Sequence, residues 1–173
     1  MTVASRRVDV AIVGGGPAGL AAAIVAAARG LHAAVFERRR GPPDKACGEG
    51  LMPSGVRALE ALGARGALPP DGFASFVGIR YLQEDGSAVA ARFPEGCGLG
   101  IRRLALSQAL ERRAVEMGAE VHFGAAVRGI VPREREVLLQ TDGGEIRARL
   151  AIAADGLGSP IRRMLGLDGA PPR

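Results

Sequence analysis

Six consecutive residues near the amino terminus, Gly14-Gly15-Gly16-Pro17-Ala18-Gly19, have the spacing of a phosphate-binding turn. In the pattern Gly-x-Gly-x-x-Gly the first glycine permits a tight turn, and the second lets the backbone approach a pyrophosphate. The third glycine allows a helix to pack closely on a strand. The anion then lies on free N–H groups at the positive end of that helix. These residues therefore predict a site for a ligand that carries two linked phosphates.

An acidic residue, Glu37, follows about 20 residues after the glycine turn, where such sites carry a carboxylate. A carboxylate there accepts hydrogen bonds from both ribose hydroxyls of an adenosine and repels a 2′-phosphate. The alternative is an ordinary strand–helix turn followed by a solvated glutamate. Because the turn and the acid occur in the expected order, we favour an adenine dinucleotide. The motif alone does not separate FAD from NAD.

The elements that position these residues are predicted to be a strand–helix–strand unit. Val8–Val13 is apolar and β-branched, as in a buried strand. Pro17 suits the first helical turn, and Leu20–Arg29 continues as an alanine-rich helix. Ala33–Phe36 forms a second strand that ends at Glu37. A unit of this kind predicts a parallel sheet and an α/β fold.

The rest of the chain predicts a loop, three helices and a series of strands. The loop is Arg38–Met52, the helices are Pro53–Leu62, Leu104–Met117 and Pro160–Leu165, and the strands are Phe76–Leu82, Ser87–Phe93, Glu120–Phe123, Val127–Val131, Val137–Gln140, Glu145–Leu150 and Ala151–Ala154. The Asp-Gly pair between the first two strands predicts a hairpin. The later strands predict a β-meander that crosses above the helices.

Composition excludes several classes of protein. With 47% hydrophobic and 24% charged residues, the 173-residue chain is not predicted to be disordered. Two cysteines exclude a disulfide framework and a four-cysteine zinc site. The apolar stretch Pro17–Ala28 is shorter than the ~20 residues of a membrane span, and no signal-like segment precedes it. We therefore expect a cytoplasmic protein.

The net charge of +5 raises the question of nucleic-acid binding. The basic residues are almost all arginine and are scattered in ones and twos, apart from the run Arg38–Arg40. Aromatic residues make up 3% and tryptophan is absent, so the chain has no stacking platform for single strands. We predict no specific nucleic-acid binding. His32 and His122 have no partner at a spacing that predicts a metal site or a catalytic triad.

Three later segments resemble the flavoprotein monooxygenase superfamily, a glutathione-reductase-like FAD fold that includes aromatic hydroxylases and geranylgeranyl reductases. Arg103–Leu110 resembles its R-x-x-L-x-x-x-L stretch, and the resemblance implies that Arg103 contacts the FAD. Gly124–Ile130 resembles the strand whose backbone meets the adenine, near Val127. Ala151–Arg162 resembles the family's Asp-Gly motif. Reductase-type members often have aspartate where this chain has serine, at position 107.

Asp155 and Arg103 also have structural interpretations. Asp155 ends a strand of small residues, so its carboxylate is placed to accept from ribose or ribityl hydroxyls. Alternatively, Asp155 and Ser159 cap the helix that begins at Pro160. Because a cap needs only one of the two, we favour the ligand role. For Arg103 the alternative is a solvated charge beside a helix.

The segment Lys45–Pro53 resembles the Cys-Gly-x-Gly-Leu loop of geranylgeranyl reductase-like flavoproteins. That loop lies beside the isoalloxazine ring and shapes substrate access, which implies that Cys47 and Gly48 lie near the flavin. Cys47 is the candidate catalytic residue, for redox chemistry or proton delivery, because Lys45 favours its thiolate. The alternative is a small buried thiol that fills space. Cys97 is interpreted as structural.

The resemblance implies an α/β fold, namely a glutathione-reductase-like Rossmann FAD-binding domain with a central parallel sheet and a β-meander crossover, incomplete at its C-terminus. Residues 1–173 would be the N-terminal portion of that domain, with the hairpin segment 71–100 belonging to the substrate-side sheet. The family continues well beyond the Asp-Gly helix. We therefore expect the chain to bind the AMP half of FAD and to lack much of the pocket for isoalloxazine and substrate.

The implied function is that of an FAD-dependent oxidoreductase. NAD(P)H would supply electrons, and an aromatic, polyketide-like or isoprenoid-like small molecule would be hydroxylated or reduced. The alternatives are a dinucleotide-binding fragment without its own turnover and an NAD-dependent dehydrogenase. The dehydrogenase is disfavoured because no catalytic set of His, Arg and Asp residues follows the strand–helix–strand unit. The residues expected to bind the cofactor are Gly14, Gly15, Gly16, Pro17, Ala18, Gly19, Glu37, Arg38, Cys47, Gly48, Arg103, Val127, Asp155 and Gly156.

Overall fold

A computed structural model describes residues 6–42, 44 and 47–169. Its helices are α1 (Pro17–Ala27), α2 (Pro53–Ala61), α3 (Arg103–Glu116) and α4 (Pro160–Met164), with a 3₁₀ turn at Arg65–Ala67. Its strands are β1 (Arg6–Val13), β2 (Ala33–Glu37), β3 (Gly50–Leu51), β4 (Phe73–Phe76), β5 (Gly78–Leu82), β6 (Ala88–Arg92), β7 (Gly98–Ile101), β8 (Glu120–Phe123), β9 (Val127–Pro132), β10 (Val137–Thr141) and β11 (Gly144–Ala153). The predicted α/β class is confirmed.

The central sheet has six strands in the order β8-β2-β1-β11-β10-β9. The first four run parallel, whereas β10 is antiparallel to both of its neighbours, so the sheet is mixed. The division of residues 145–154 into two strands was wrong, because β11 is continuous. The prediction that the meander crosses above the helices was also wrong. The ten-residue β11 is long enough to pair with β10 at its start and with β1 along most of its length, which keeps the meander in the sheet.

Apolar side chains cover both faces of this sheet. On one face, α1 packs over β1 and β2 while α3 packs against α1 and β8, and Leu20, Val35 and Leu110 are almost completely buried there. On the other face, Leu139 and Ile161 belong to a second cluster. Burial on both faces explains why β1 is almost uniformly apolar toward its carboxyl end instead of alternating. The parallel strands are thereby held in fixed register where the glycine turn begins.

Two smaller sheets lie outside the central one. The strands β3, β7 and β4 form an antiparallel sheet, so the predicted loop Arg38–Met52 contains a short strand near its end. The predicted hairpin is confirmed as β5 paired with β6. Within the described residues the hairpin pairs with no third strand. Cys47 precedes β3 and Cys97 precedes the antiparallel β7, so the two free thiols lie at opposite ends of this ladder.

The helices of the described residues are all short. The longest, α3, has 14 residues. Among residues 6–42, 44 and 47–169, no helix has the length and apolar character that crossing a membrane requires.

Candidate functional site

A cavity of about 370 Å³ opens where the carboxyl ends of three neighbouring parallel strands meet. Because β1, β2 and β11 are parallel, the glycine turn, Glu37 and Asp155 all leave the sheet at this edge. Ligands of open α/β sheets bind outside the carboxyl ends of the strands. The volume lies within the range of about 300–1,000 Å³ that is usual for small-molecule sites. The cavity is therefore a candidate cofactor site.

Most of the predicted cofactor residues line this cavity. They are Gly14, Gly16, Pro17, Ala18, Glu37, Arg38, Arg103, Val127, Asp155 and Gly156. Gly15 and Gly19 belong to the same turn but do not line the cavity. Cys47 and Gly48 do not line it either, and both are exposed. Lys45 lies outside the described residues, so its expected effect on Cys47 stays a prediction.

The glycines of the turn differ in what surrounds them. Gly14 has a φ of +108°, and a Cβ atom placed on it would lie 2.4 Å from the carbonyl oxygen of Ala154. Because any side chain would collide with Ala154, only glycine at this position lets the end of β1 lie this close to the end of β11. A Cβ atom on Gly16 would meet nothing nearer than a terminal nitrogen of Arg103, at 4.0 Å. Gly16 thus leaves open space on the cavity side, as expected where a backbone lies against a ligand.

Glu37 is buried, with 7% of its surface exposed, and both carboxylate oxygens are used within the protein. The N–H of Gly15 donates to Oε2 at 2.8 Å, and the N–H of Arg39 donates to Oε1 at 3.0 Å. Each carboxylate oxygen has two lone pairs, so each keeps an acceptor site. The two backbone donors fix the carboxylate beside the glycine turn. It is therefore oriented before any ligand hydroxyl arrives.

Arg103 is the first residue of α3 and carries a polar atom without a partner. Its Nε is buried and has no hydrogen-bond partner within the described residues. A buried N–H group that stays unpaired is costly, and a charged guanidinium bonds phosphate oxygens strongly. Arg38, Arg39 and Arg128 line the same cavity. The walls therefore suit an anionic ligand such as a pyrophosphate.

Asp155 lines the cavity and also caps α4. Its Oδ2 accepts from the N–H of Ile161 at 3.1 Å, and the hydroxyl of Ser159 accepts from the N–H of Arg162 at 3.0 Å. The reasoning that the cap needs only one of these side chains was wrong, because both bond the first turn. A ligand role for Asp155 stays a prediction, supported by its place in the cavity wall.

Nine residues of the cavity lining were not predicted from the sequence. The missed residues are Val13, Phe36, Arg39, Ala126, Arg128, Ala154, Pro160, Ile161 and Met164. For Arg39 and Arg128 the sequence gives a weak indication of a place in the site, since each is within two positions of a predicted site residue. Met164 carries none. Its place in the wall depends on where α4 packs after the chain leaves β11.

The two histidines form a separate cluster with one carboxylate and do not line the cavity. Nε2 of His32 and Nε2 of His122 each lie 2.9 Å from an oxygen of Glu120, and Arg6 bonds the same carboxylate. Partial burial acts to raise the pKa of Glu120, but the hydrogen bonds from the histidines and the charge of Arg6 outweigh it and lower that pKa. His122 also stacks on Phe36, at 5.3 Å between ring centroids. The cluster joins β8 to β1 and to the residue that precedes β2.

Comparison with known protein families gives a match that includes the cavity. The profile described as "FAD binding domain" matches residues 7–171. The chain belongs to this family. The FAD-binding domain therefore extends over nearly all of the chain, and it includes every residue that lines the cavity.

Relatives of the FAD-binding domain include reductases and monooxygenases. Menaquinone reductase from Mycobacterium tuberculosis is 36% identical over 167 residues, covering 91% of this chain and 40% of the relative. Digeranylgeranylglycerophospholipid reductase 1 from Methanopyrus kandleri is 39% identical over 169 residues, covering 92% of this chain and 42% of the relative. Rifampicin monooxygenase from Streptomyces venezuelae is 30% identical over 174 residues, covering 92% and 34%.

Solved structures show the same fold. A flavoprotein/dehydrogenase from Cytophaga hutchinsonii superimposes with a TM-score of 0.83 and 27% identity, covering 95% of this chain and 43% of that one. The FAD-binding domain described here thus spans about 40% of the length of the first relatives that it matches.

The cavity fits FAD by three independent features. Gly16 leaves space for a phosphate at the start of α1, where no side chain caps the helix and no acidic residue occupies the first turn. Arg103 offers an unpaired buried donor. Glu37 presents fixed carboxylate oxygens with free acceptor sites. The space, the charge and the acceptor atoms of these residues therefore fit a ligand that carries phosphate and hydroxyl groups.

Proposed function

We propose that this chain is the FAD-binding portion of a flavin-dependent oxidoreductase that hydroxylates or reduces an aromatic, polyketide-like or isoprenoid-like substrate. The observation that carries the proposal is the cavity lined by Gly16, Glu37 and Arg103, where Nε of Arg103 is buried and has no hydrogen-bond partner among the described residues. NAD(P)H is the proposed electron donor, and the cytoplasm is the proposed location.

Each part of the dinucleotide has a proposed partner. The pyrophosphate lies against Gly16 and the amino-terminal end of α1, and Arg103 donates to it. Glu37 accepts from the ribose hydroxyls of the adenosine, and the backbone near Val127 lies beside the adenine. Asp155 accepts from hydroxyls with the oxygen that does not cap α4. When bound, the flavin supplies the electron transfer between a nicotinamide and the substrate, and the protein supplies binding and orientation.

Two observations bear on the type of reaction. Relatives named as reductases are 31% to 39% identical to this chain and relatives named as monooxygenases are 29% to 34% identical, so the two ranges overlap and the reductases extend higher. The Cys47 loop has the pattern of the reductase-like branch. We therefore favour reduction of an isoprenoid-like double bond over hydroxylation.

Cys47 is the proposed catalytic residue, placed with Gly48 near the flavin ring. The thiol is exposed and therefore accessible to a ligand. Its loop leads into β3, which pairs with β7, and β7 leads directly to Arg103 at the start of α3. This connection supports the proposed position of the loop near the cavity wall.

The second candidate function is dinucleotide binding without turnover. One observation favours it. The cavity is lined by residues of the glycine turn, by Glu37 and by Asp155, but not by Cys47 or Gly48. Both candidate functions require FAD, and they differ in whether the FAD bound to this chain alone accepts electrons from NAD(P)H.

The test is a binding measurement on the purified 173-residue chain. We expect FAD to bind at one equivalent, as measured by the change in flavin fluorescence on titration. NAD titrated under the same conditions should bind at least tenfold more weakly than FAD, because the chain belongs to an FAD-binding family and its cavity is proposed to be an FAD site. NAD binding as tight as that of FAD would refute the proposal. Reduction of the bound flavin by NADH or NADPH would then separate the two candidate functions.

We further propose that the segment 71–100 belongs to a substrate-side sheet and not to the FAD site. Its hairpin exposes Tyr81, Leu82 and Val89 by 65%, 68% and 66%. A two-stranded hairpin is marginal alone in water, so these side chains suit burial by further substrate-side structure.

This separation predicts that the hairpin can be changed without affecting FAD. The triple variant Tyr81→Thr, Leu82→Thr and Val89→Thr should keep FAD affinity within about twofold, because none of the three residues lines the cavity. It should also reduce self-association of the chain, as measured by sedimentation velocity. A large loss of FAD affinity in a folded variant would assign the hairpin to the cofactor site instead.

A further inference from the structure

Glu49 has an unusual backbone conformation. Its φ of +47° makes it the one residue other than glycine with a positive φ in the described part of the chain. Residues with side chains rarely adopt this left-handed region, and those that do are held there by their surroundings. Gly48 and Gly50 flank it, yet it is the glutamate that takes the left-handed conformation. The strain requires contacts that hold this residue in place.

Two hydrogen bonds tie Glu49 to the junction between β7 and α3. Its carbonyl oxygen accepts from the N–H of Ile101 at 2.7 Å. Its Oε1 accepts from the N–H of Arg103 at 3.3 Å. The backbone bond is the continuation of the β3–β7 ladder, and the side-chain bond reaches the first residue of the helix. Glu49 thus contacts the residues on both sides of the one-residue connection, Arg102.

The second bond gives the amino-terminal end of α3 a side-chain acceptor, which the neighbouring residues of the helix do not provide. The residue in the N-cap position is Arg102, whose side chain makes no capping hydrogen bond, and the first turn contains no acidic residue. The first amides of a helix need acceptors from outside it, and a negative charge there is stabilising. Glu49, more than fifty residues earlier in the sequence, provides both. It acts as a distant cap.

The capped residue is the one that faces the cofactor cavity. Glu49 accepts from the backbone N–H of Arg103, which lines the cavity, while Nε of the same residue is buried and has no partner in the described part of the chain. One terminal nitrogen lies 4.0 Å from the point where Gly16 would carry a Cβ. Movement of the first turn of α3 would therefore move the guanidinium relative to the glycine turn.

We propose that Glu49 is a positioning residue that fixes Arg103 at the dinucleotide site and so couples the Cys47 loop to FAD binding. The proposal rests on the function proposed above. Because coupling between two sites is reciprocal, FAD binding also orders the loop 47–50. A change in the loop that precedes β3 then alters the pyrophosphate part of the cavity, and the reverse also holds. The carboxylate of Glu49 connects the two.

The first test compares substitutions of Glu49 in the 173-residue chain. Glu49→Gly removes the carboxylate and relieves the left-handed backbone, whereas Glu49→Gln keeps an acceptor oxygen. We expect Glu49→Gly to weaken FAD binding about fivefold and Glu49→Gln to weaken it less. Glu95→Gly, which removes another exposed loop glutamate, is the matched control and should change nothing. If backbone strain alone matters, Glu49→Gly will bind FAD as well as or better than the parent chain, which overturns the proposal.

The second test asks whether the effect passes through Arg103. In a chain that carries Arg103→Gln, adding Glu49→Gly should weaken FAD binding by less than about twofold, because the group that Glu49 positions is gone. Full additivity of the two changes would overturn the proposal.

A third measurement does not depend on FAD. Hydrogen exchange of the Arg103 amide in the ligand-free chain should accelerate in Glu49→Gly and stay unchanged in Glu95→Gly. If the parent chain fails to bind FAD, the proposed function is wrong. If the Arg103 amide exchanges equally fast in both variants, the positioning role of Glu49 is wrong. The two failures are thus distinguishable.

Discussion

Gly16→Ala is expected to lower the affinity for FAD at least tenfold while the protein stays folded. Gly16 has φ −77° and ψ 176°, an extended conformation that alanine adopts without strain. The new methyl group would meet no protein atom nearer than 4.0 Å, so it would project into the cavity where the phosphates are proposed to lie. Isothermal titration with FAD and thermal unfolding of the same sample measure the two quantities.

The neighbouring glycine Gly19 provides the contrast. A Cβ atom on Gly19 would lie 1.9 Å from the carbonyl oxygen of Gly14, within the protein itself. Gly19→Ala must therefore push α1 away from β1, and overpacking of this kind costs about 1–3 kcal/mol or more of unfolding free energy. Denaturant unfolding should show that loss in Gly19→Ala and not in Gly16→Ala. Equal FAD affinity in Gly16→Ala and the parent chain would place the phosphates elsewhere.

Substitution of Glu37 has the second large expected effect. In Glu37→Gln the amide oxygen still accepts from one backbone N–H, but the amide nitrogen cannot accept from the other. The N–H groups of Gly15 and Arg39 compete for one acceptor, which should cost roughly 1–3 kcal/mol of unfolding free energy. FAD affinity should fall on the order of tenfold or more, because a bond from ribose to a charged acceptor is lost as well. Glu37→Arg should abolish FAD retention.

The control for Glu37 is a glutamate of equal chemistry outside the cavity. Glu134 is exposed, so Glu134→Gln should leave both the unfolding free energy and the FAD affinity unchanged. Fluorescence titration with FAD and urea unfolding of the three variants separate binding from stability. Should Glu37→Gln bind FAD as tightly as Glu134→Gln, the ribose role of Glu37 would be refuted.

Local features of the sequence were sufficient for the strand–helix–strand unit and for the core of the site. The glycine turn, Pro17 at the start of α1 and Glu37 at the end of β2 lie within one supersecondary unit, whose geometry follows from short-range spacing. For the same reason the hairpin β5–β6 was predicted from its Asp-Gly turn. In these cases the residues that signal the structure are neighbours in the chain, and backbone sterics decide their arrangement.

Tertiary structure alone decided which distant residues complete the cavity and how the sheet continues. The strand β11 is one element because β1 and β10 offer it hydrogen-bonding edges, and no local pattern of residues 144–153 records those partners. Met164 reaches the cavity wall only through the packing of α4. Glu49 caps α3 across more than fifty residues because the β3–β7 ladder brings them together. Contacts of this kind depend on chain crossings, and the sequence determines them only through the whole fold.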